Sequence, residues 1–310
     1  MARTGLLLGA AVAVGRLEAA LAAPNPTAQK SIDPFRFCLN TATIRGQKLG
    51  IVKEAEVAAQ AGFQCIEPWV SSIEEYARSG GSLQDLKKRI ADLGLTVESA
   101  IAFSEWLADD DAKRAKGMEQ AKREMEMVGQ IGGKRLAAPP VGATNAPGLD
   151  LFKAADRYRA LLEAGDQIGV VPELELWGFS KNLHHLSECA LVAIETGHPK
   201  ACVLADMFHL YKGGSDFHGL RLLSPNAIQK FHMNDYPAEP ARDQINDSFR
   251  VYPGDGVAPL VDVLRVLQSL GGQTVLSLEV FNKGYWERDA LEVAKTGLAK
   301  MKAVAAKAAV

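Results

Sequence analysis

Paired cysteines are missing from this chain. It has four cysteines in 310 residues, none in Cys-x-x-Cys spacing, so it carries no paired-cysteine metal or redox motif. Cys38, Cys65 and Cys202 lie in apolar strand-like runs and read as core residues, while Cys189 stays open. An excess of one charge is missing too: 35 Lys and Arg stand against 37 Asp and Glu, a net charge of −2, and no basic block is visible. That balance gives a polyanion nothing to bind and argues against a nucleic-acid partner. No apolar run is long enough for a stable membrane span, because the one over residues 4–15 is closed by Arg3 on one side and by Arg16 and Glu18 on the other. The Pro253-Gly254-Asp255-Gly256 turn lacks the Lys-Ser/Thr pair of a phosphate loop.

The run over residues 4–15, followed by Ala20-Leu21-Ala22 ahead of Ala23-Pro24, reads as an export signal with a small-residue cleavage site. Residues 1–33 are therefore expected to be signal and linker, with a periplasmic mature protein; the alternative is an N-terminal extension of a cytoplasmic one. The run also resembles the end of a twin-arginine signal, which would put a pair of arginines upstream of Met1.

The chain is 47% apolar and 23% charged, enough to bury a large core. From Pro34 onward, strand-like runs alternate with amphipathic helical stretches. The runs fall at 35–43, 64–70, 96–103, 135–138, 170–177, 202–209, 228–234 and 274–281. The helical stretches lie near 49–61, 82–93, 112–130, 150–168, 183–197, 216–223, 257–270 and 287–305. Eight strand-then-helix units in series predict an α/β fold, a single (β/α)8 TIM barrel over 34–310.

Active sites in such barrels form at the C-terminal ends of the strands. Glu67, Glu175, Asp206, His232 and Glu279 all fall at such ends. Alternation along a strand puts Glu279 on the face of Val275 and Ser277, toward the barrel interior, and groups Cys65 with Glu67 and Cys202 with Asp206. Glu173 shares the parity of Glu175 and lies a layer deeper. Several inward carboxylates at one rim are costly to desolvate without a counter-charge. Glu175, Asp206, His232 and Glu279 together offer three oxygen donors and one nitrogen, suited to one divalent ion: Mn, Mg, Co or Zn. Trp106, Trp177 and Trp286 follow strands and either wall a sugar pocket or pack in the core. His184-His185 reads as a solvated pair.

Leu174-Glu175, Asp206-x-x-His209, His232-x-Asn234-Asp235, Arg250-x-x-Pro253-Gly254-x-Gly256 and Leu276-Ser277-Leu278-Glu279-Val280-Phe281 follow one another in an order that resembles the xylose isomerase-like TIM-barrel superfamily. The likeness is to its sugar phosphate isomerase/epimerase branch and covers about residues 35 to 302. The resemblance implies a divalent metal on Glu175, Asp206, His232 and Glu279. It also implies proton exchange by Glu175 and Glu279 at the carbon beside a substrate carbonyl, through an enediolate, and a hydrogen bond from His209 to a substrate oxygen. Glu67 and Arg242 are expected beside His209 as substrate-binding groups. Arg242 would replace an arginine that ketose epimerases often carry six residues after the metal-binding histidine, where this chain has Ala238. Lys181 stands where those enzymes are often acidic.

The expected function is isomerisation or epimerisation of a ketose or keto-sugar. Two alternatives stay open: a keto-sugar or keto-inositol dehydratase or lyase, and a non-catalytic sugar-binding barrel. An endonuclease IV-like site is disfavoured, since no histidine precedes His184. The oligomeric state, homo-oligomer included, is left open.

Overall fold

The computed structural model describes Met1 and residues 33–309, and the expected signal segment lies outside the described residues. Eight parallel strands alternate with helices. They are β1 (Phe35–Asn40), β2 (Cys65–Glu67), β3 (Thr96–Val97), β4 (Arg135–Ala138), β5 (Val171–Glu175), β6 (Val203–Asp206), β7 (Lys230–Met233) and β8 (Thr274–Leu278). The helices are α1 (Ile51–Ala61), α2 (Val70–Arg78), α3 (Leu83–Asp92), α4 (Asp111–Gln130), α5 (Leu151–Ile168), α6 (Leu186–Glu195), α7 (Met207–Gly213), α8 (Leu260–Ser269), α9 (Lys283–Trp286) and α10 (Ala290–Ala308). The sheet runs β3-β2-β1-β8-β7-β6-β5-β4. It closes where Ala100 bridges Leu136: Ala100 N donates to Arg135 O at 3.1 Å and Ala137 N donates to Ala100 O at 2.9 Å. This is the expected TIM barrel.

The expected third strand, 96–103, is laddered only over Thr96–Val97. The physical reason is Pro68. Its neighbour ladder continues from Thr96 N on Gln64 O to Glu98 N on Ile66 O, and the next donor would be the N–H that proline lacks. The chain resumes pairing through Ile101 N on Pro68 O at 2.9 Å. The sixth strand also ends early. Asp206 caps α7 by accepting from His209 N at 2.9 Å, so His209 sits in the first turn of a helix rather than on a strand.

Strand parity holds inside the barrel. Cys38, Cys65 and Val275 form one interior cluster, and Ile101, Ala137 and Leu204 form another with Trp69 against it. The main apolar core, which includes Leu39, Ile66, Tyr158, Leu174, Phe231 and Leu276, is a separate and larger cluster. All four cysteines, Cys189 included, are buried and free. No helix among the described residues is long and apolar enough to cross a membrane.

Candidate active site

His232 on β7 is paired in register with Asp206 on β6 and with Ser277 on β8, so its ring lies level with both neighbours. Nε2 of His232 lies 3.0 Å from Glu67 Oε2. Because Lys230 and His232 hold the Glu67 carboxyl well below its usual range against the effect of burial, Glu67 is the acceptor and Nε2 carries the proton. The other ring nitrogen, Nδ1, then faces Glu279 Oε2 at 3.1 Å, Asp206 Oδ2 at 3.6 Å and Glu175 Oε1 at 3.9 Å. None of these contacts has hydrogen-bond geometry: Nδ1 of His232 and Oε2 of Glu175 are both buried without a hydrogen-bond partner. Donor atoms of Asp206, His232 and Glu279 lie within 4.8 Å of one another. The unpartnered His232 Nδ1 between the Asp206 and Glu279 oxygens fits a divalent cation, with Glu175 Oε1 3.9 Å from that nitrogen and outside the close group of three.

The layer beneath holds His232 in place. Glu67 Oε2 also accepts from Ser277 Oγ at 2.6 Å and from Asn40 Nδ2 at 3.0 Å, and its other oxygen pairs with Lys230 Nζ. Lys230 reaches Glu173 Oε2 at 3.0 Å on its far side. Asn40 spans two levels, since the same amide donates to Glu279 Oε1 at 3.0 Å. All of these side chains are buried.

Above His232, the Arg250 guanidinium donates from Nη1 to Asp206 Oδ2 at 2.7 Å and to Glu279 Oε2 at 3.0 Å, and from Nη2 to Asp247 Oδ1 at 2.5 Å. Nη2 also lies 3.1 Å from His209 Nε2. Arginine can only donate, so His209 accepts at Nε2 and its proton sits on Nδ1, which has no partner. Burial keeps this ring neutral by lowering its pKa. Burial pushes the Glu175 carboxyl up to about 8, with His232 opposing and Glu279 adding to the effect. Burial works against ionisation of Asp206 as well, but Arg250 and His232 outweigh it and hold that carboxyl low. Burial likewise disfavours charge on His232, and Glu279 and Glu67 override it to raise its pKa. The site thus favours positive charge at Nδ1, whether a proton or a metal ion supplies it.

A cavity of about 230 Å³ opens over these groups. Glu175, His209, Asp247, Arg250 and Glu279 form one side, and aromatic rings form most of the other.

A sequence model of the xylose isomerase-like TIM barrel matches residues 55–304. The chain belongs to that family. Among its relatives, an inosose isomerase from Bacillus velezensis is 24% identical over 277 residues, which is 88% of this chain and 98% of that protein. A 3-dehydroshikimate dehydratase from Pseudomonas putida is 24% identical over 248 residues, 79% of this chain but 38% of that protein, so the chain spans well under half of this relative's length. The fold is similar to a crystal structure of the IOLI protein with a binding zinc atom. The TM-score is 0.81 at 22% identity, over 88% of this chain and 98% of the other.

Of the residues expected at the site from the xylose isomerase-like pattern, Glu175, Asp206, His232 and Glu279 come together around His232 Nδ1, and His209 lines the cavity. Two expectations need correction. Glu67 does not line the cavity: it is fully buried beneath His232, where its carboxylate is taken up by His232, Ser277, Asn40 and Lys230. Arg242 does not line the cavity. It sits in the loop after β7 beside a separate surface cleft shared with Lys181, His184 and Lys212, and the guanidinium at the site belongs to Arg250. Trp177 lines the cavity, whereas Trp106 and Trp286 pack, donating to Pro139 O and Ala42 O. Sequence reasoning missed Lys230, Asn40, Asp247 and the rings of Trp69, Phe103 and Phe281 as parts of the site. Lys230 had a signal, as a lysine two residues before His232 in an apolar run must point to the same interior face.

Proposed function

We propose that this protein is a divalent-metal-dependent isomerase or epimerase acting on a ketose or keto-sugar. One observation carries the reading: Glu175, Asp206 and Glu279, from three strands, converge on an unpartnered His232 Nδ1 at the floor of a cavity. Glu175, Asp206, His232 and Glu279 would hold the metal, which when bound polarises a substrate carbonyl. Glu175 and Glu279, on strands separated by β6 and β7, would serve as the two proton-exchanging groups. His209, neutral and with a free Nδ1–H, would donate to a substrate oxygen, and Arg250 fixes its tautomer by occupying Nε2. Dehydration of a keto-substrate is the second reading, favoured by the likeness to the Pseudomonas putida dehydratase. Both readings begin with loss of a proton beside a carbonyl.

The test is a screen of keto-sugars and keto-inositols in D₂O with the metal-loaded protein, read by NMR. Deuterium gain at the carbon beside the carbonyl is the expected result. Metal-loaded protein that exchanges none of them would remove the enolisation chemistry and leave a binding barrel.

A further inference from the structure

Arg250 is fully buried, and its guanidinium rests on the two oxygens that also face His232 Nδ1. Nη1 donates to Asp206 Oδ2 at 2.7 Å and to Glu279 Oε2 at 3.0 Å, and the same two oxygens lie 3.6 and 3.1 Å from Nδ1. Neither carboxylate depends on Arg250 for its orientation. Asp206 Oδ1 accepts from His209 N at 2.9 Å and Oδ2 from Asn234 Nδ2 at 3.0 Å, while Asn234 Oδ1 accepts from Phe208 N at 3.0 Å. Glu279 Oε1 accepts from Asn40 Nδ2 at 3.0 Å, and Asn40 Oδ1 accepts from Ala42 N at 2.9 Å. What Arg250 alone adds is charge. It also fills the last place on Asp206 Oδ2, because a carboxylate oxygen offers about two lone pairs and Asn234 and Arg250 take both.

We infer that Arg250 competes with the divalent ion for Asp206 Oδ2 and Glu279 Oε2: its guanidinium is the protein's own cation at these oxygens in the metal-free state, and Nη1 gives them up when an ion binds. The inference rests on the proposed ligand set of Glu175, Asp206, His232 and Glu279. The rest of the guanidinium has partners of its own. Asp247 Oδ1 accepts from Nε at 3.0 Å and from Nη2 at 2.5 Å, and His209 Nε2 lies 3.1 Å from Nη2. The rings of Phe208 and Phe281 lie 4.7 and 5.2 Å from Cζ. These contacts hold the far edge, so only the two Nη1 contacts are exchanged. Two cations that share one pair of oxygens oppose each other, and removing one strengthens the hold on the other. An arginine that only orients the ligands predicts the reverse, since loss of an orienting partner weakens metal binding by about 10–100-fold.

The experiment measures Mn²⁺ and Zn²⁺ affinity by chelator competition, and melting temperature with and without each ion, in the whole protein as wild type, Arg250→Met and Arg250→Gln. Circular dichroism shows which variants are folded. Glutamine keeps an amide donor without the charge, and it carries the test if the methionine variant does not fold. The uncharged variants are expected to bind the ion about 10–100-fold tighter than the wild type, a gain below the full effect of a unit charge a few ångströms away in a protein interior. They should also melt lower than the wild type without an ion and gain more on loading. A variant that folds only with the ion present is the same result in its extreme form. Unchanged or weaker ion binding in a folded uncharged variant overturns the inference and leaves the metal reading standing. A wild type that binds no ion beside a variant that binds one supports the competition, whereas no ion on either removes the proposed ligand set and the inference together.

Discussion

Replacing Glu67 should weaken both the fold and the metal site. The carboxylate is fully buried and accepts from His232 Nε2, Ser277 Oγ and Asn40 Nδ2 while pairing with Lys230. In Glu67→Ala, Lys230 keeps only Glu173 at 3.0 Å, and His232 loses the partner that fixes its tautomer. Breaking a buried ion pair by removing one partner costs about 3–5 kcal/mol. Loss of the group that orients a histidine ligand lowers metal affinity by about 10–100-fold. Glu67→Gln keeps an oxygen for His232 Nε2–H but not the charge, so it should lose stability while sparing more of the metal affinity than alanine does. Lys230→Met removes the charge from the other side, and the double variant Lys230→Met/Glu67→Gln should fall short of the summed single costs by about 0.5–3 kcal/mol, because each change relieves the charge the other strands. Urea unfolding of the metal-free proteins measures the cycle, and chelator competition measures the metal. Additive costs, or wild-type metal affinity in a folded Glu67→Ala, would refute the coupling between the Lys230–Glu67 pair and His232.

Glu279→Gln keeps an oxygen for a cation but cannot accept a proton, so deuterium exchange should fall about 10²–10⁴-fold with metal still bound; exchange at the wild-type rate in the metallated variant removes Glu279 as the base. Burial pushes the Glu54 carboxyl up to about 7, and its Oε2 has no partner. Because this folded value lies above the unfolded one near 4.3, the stability tied to the proton is complete below about pH 4 and is lost as pH rises through 7. Glu54→Gln should therefore gain up to about 3 kcal/mol over the wild type at pH 8.5 and little at pH 4, by urea unfolding, and an equal effect at both pH values would sink the assignment. If residues 1–22 are an export signal, mass spectrometry of the protein from its own cells should find a mature chain starting at Ala23. A cytoplasmic chain intact through Ala22 would contradict it.

The barrel was legible because its signal is repeated: eight apolar runs, each followed by a helix-period stretch, admit few other architectures. The strand limits were less so. Runs that continue as apolar sequence past Asp206 hide the change from ladder to helix, which is set by the Asp206 cap. The break in the third strand was written at Pro68, on the neighbouring strand rather than its own. The proposed metal ligands Glu175, Asp206, His232 and Glu279 stood out as polar residues in otherwise apolar strand ends, although Glu67 and Glu173 carry the same signal and only the fold separates them. The aromatic side of the cavity did not. Its rings come from the ends of different strands, and no spacing in the chain links Trp69 to Phe281 or Phe103 to Trp177. Arg250 was visible in the motif ahead of Pro253-Gly254, but only the fold shows that its guanidinium reaches Asp206 and Glu279.

The barrel interior is built in levels, and each level sets the charge the next requires. At the floor, Cys38, Cys65 and Val275 pack together. Lys230, paired in register with Val275, lies between Glu67 and Glu173, and both carboxylates are answered. His232 stands on that level, its Nε2 committed downward to Glu67, so only Nδ1 is left for the level above. There Asp206, Glu279 and the part-exposed Asp247 meet a single guanidinium from Arg250, and Glu175 lies beside His232. Arg250 alone does not balance the buried carboxylates, and a proton on His232 or on Glu175, or a divalent cation, would take up the excess. In either case Glu175 and Glu279 flank His232, and the Glu67–Lys230 pair below keeps that histidine from turning away, which is the placement the proposed proton exchange beside a carbonyl would use.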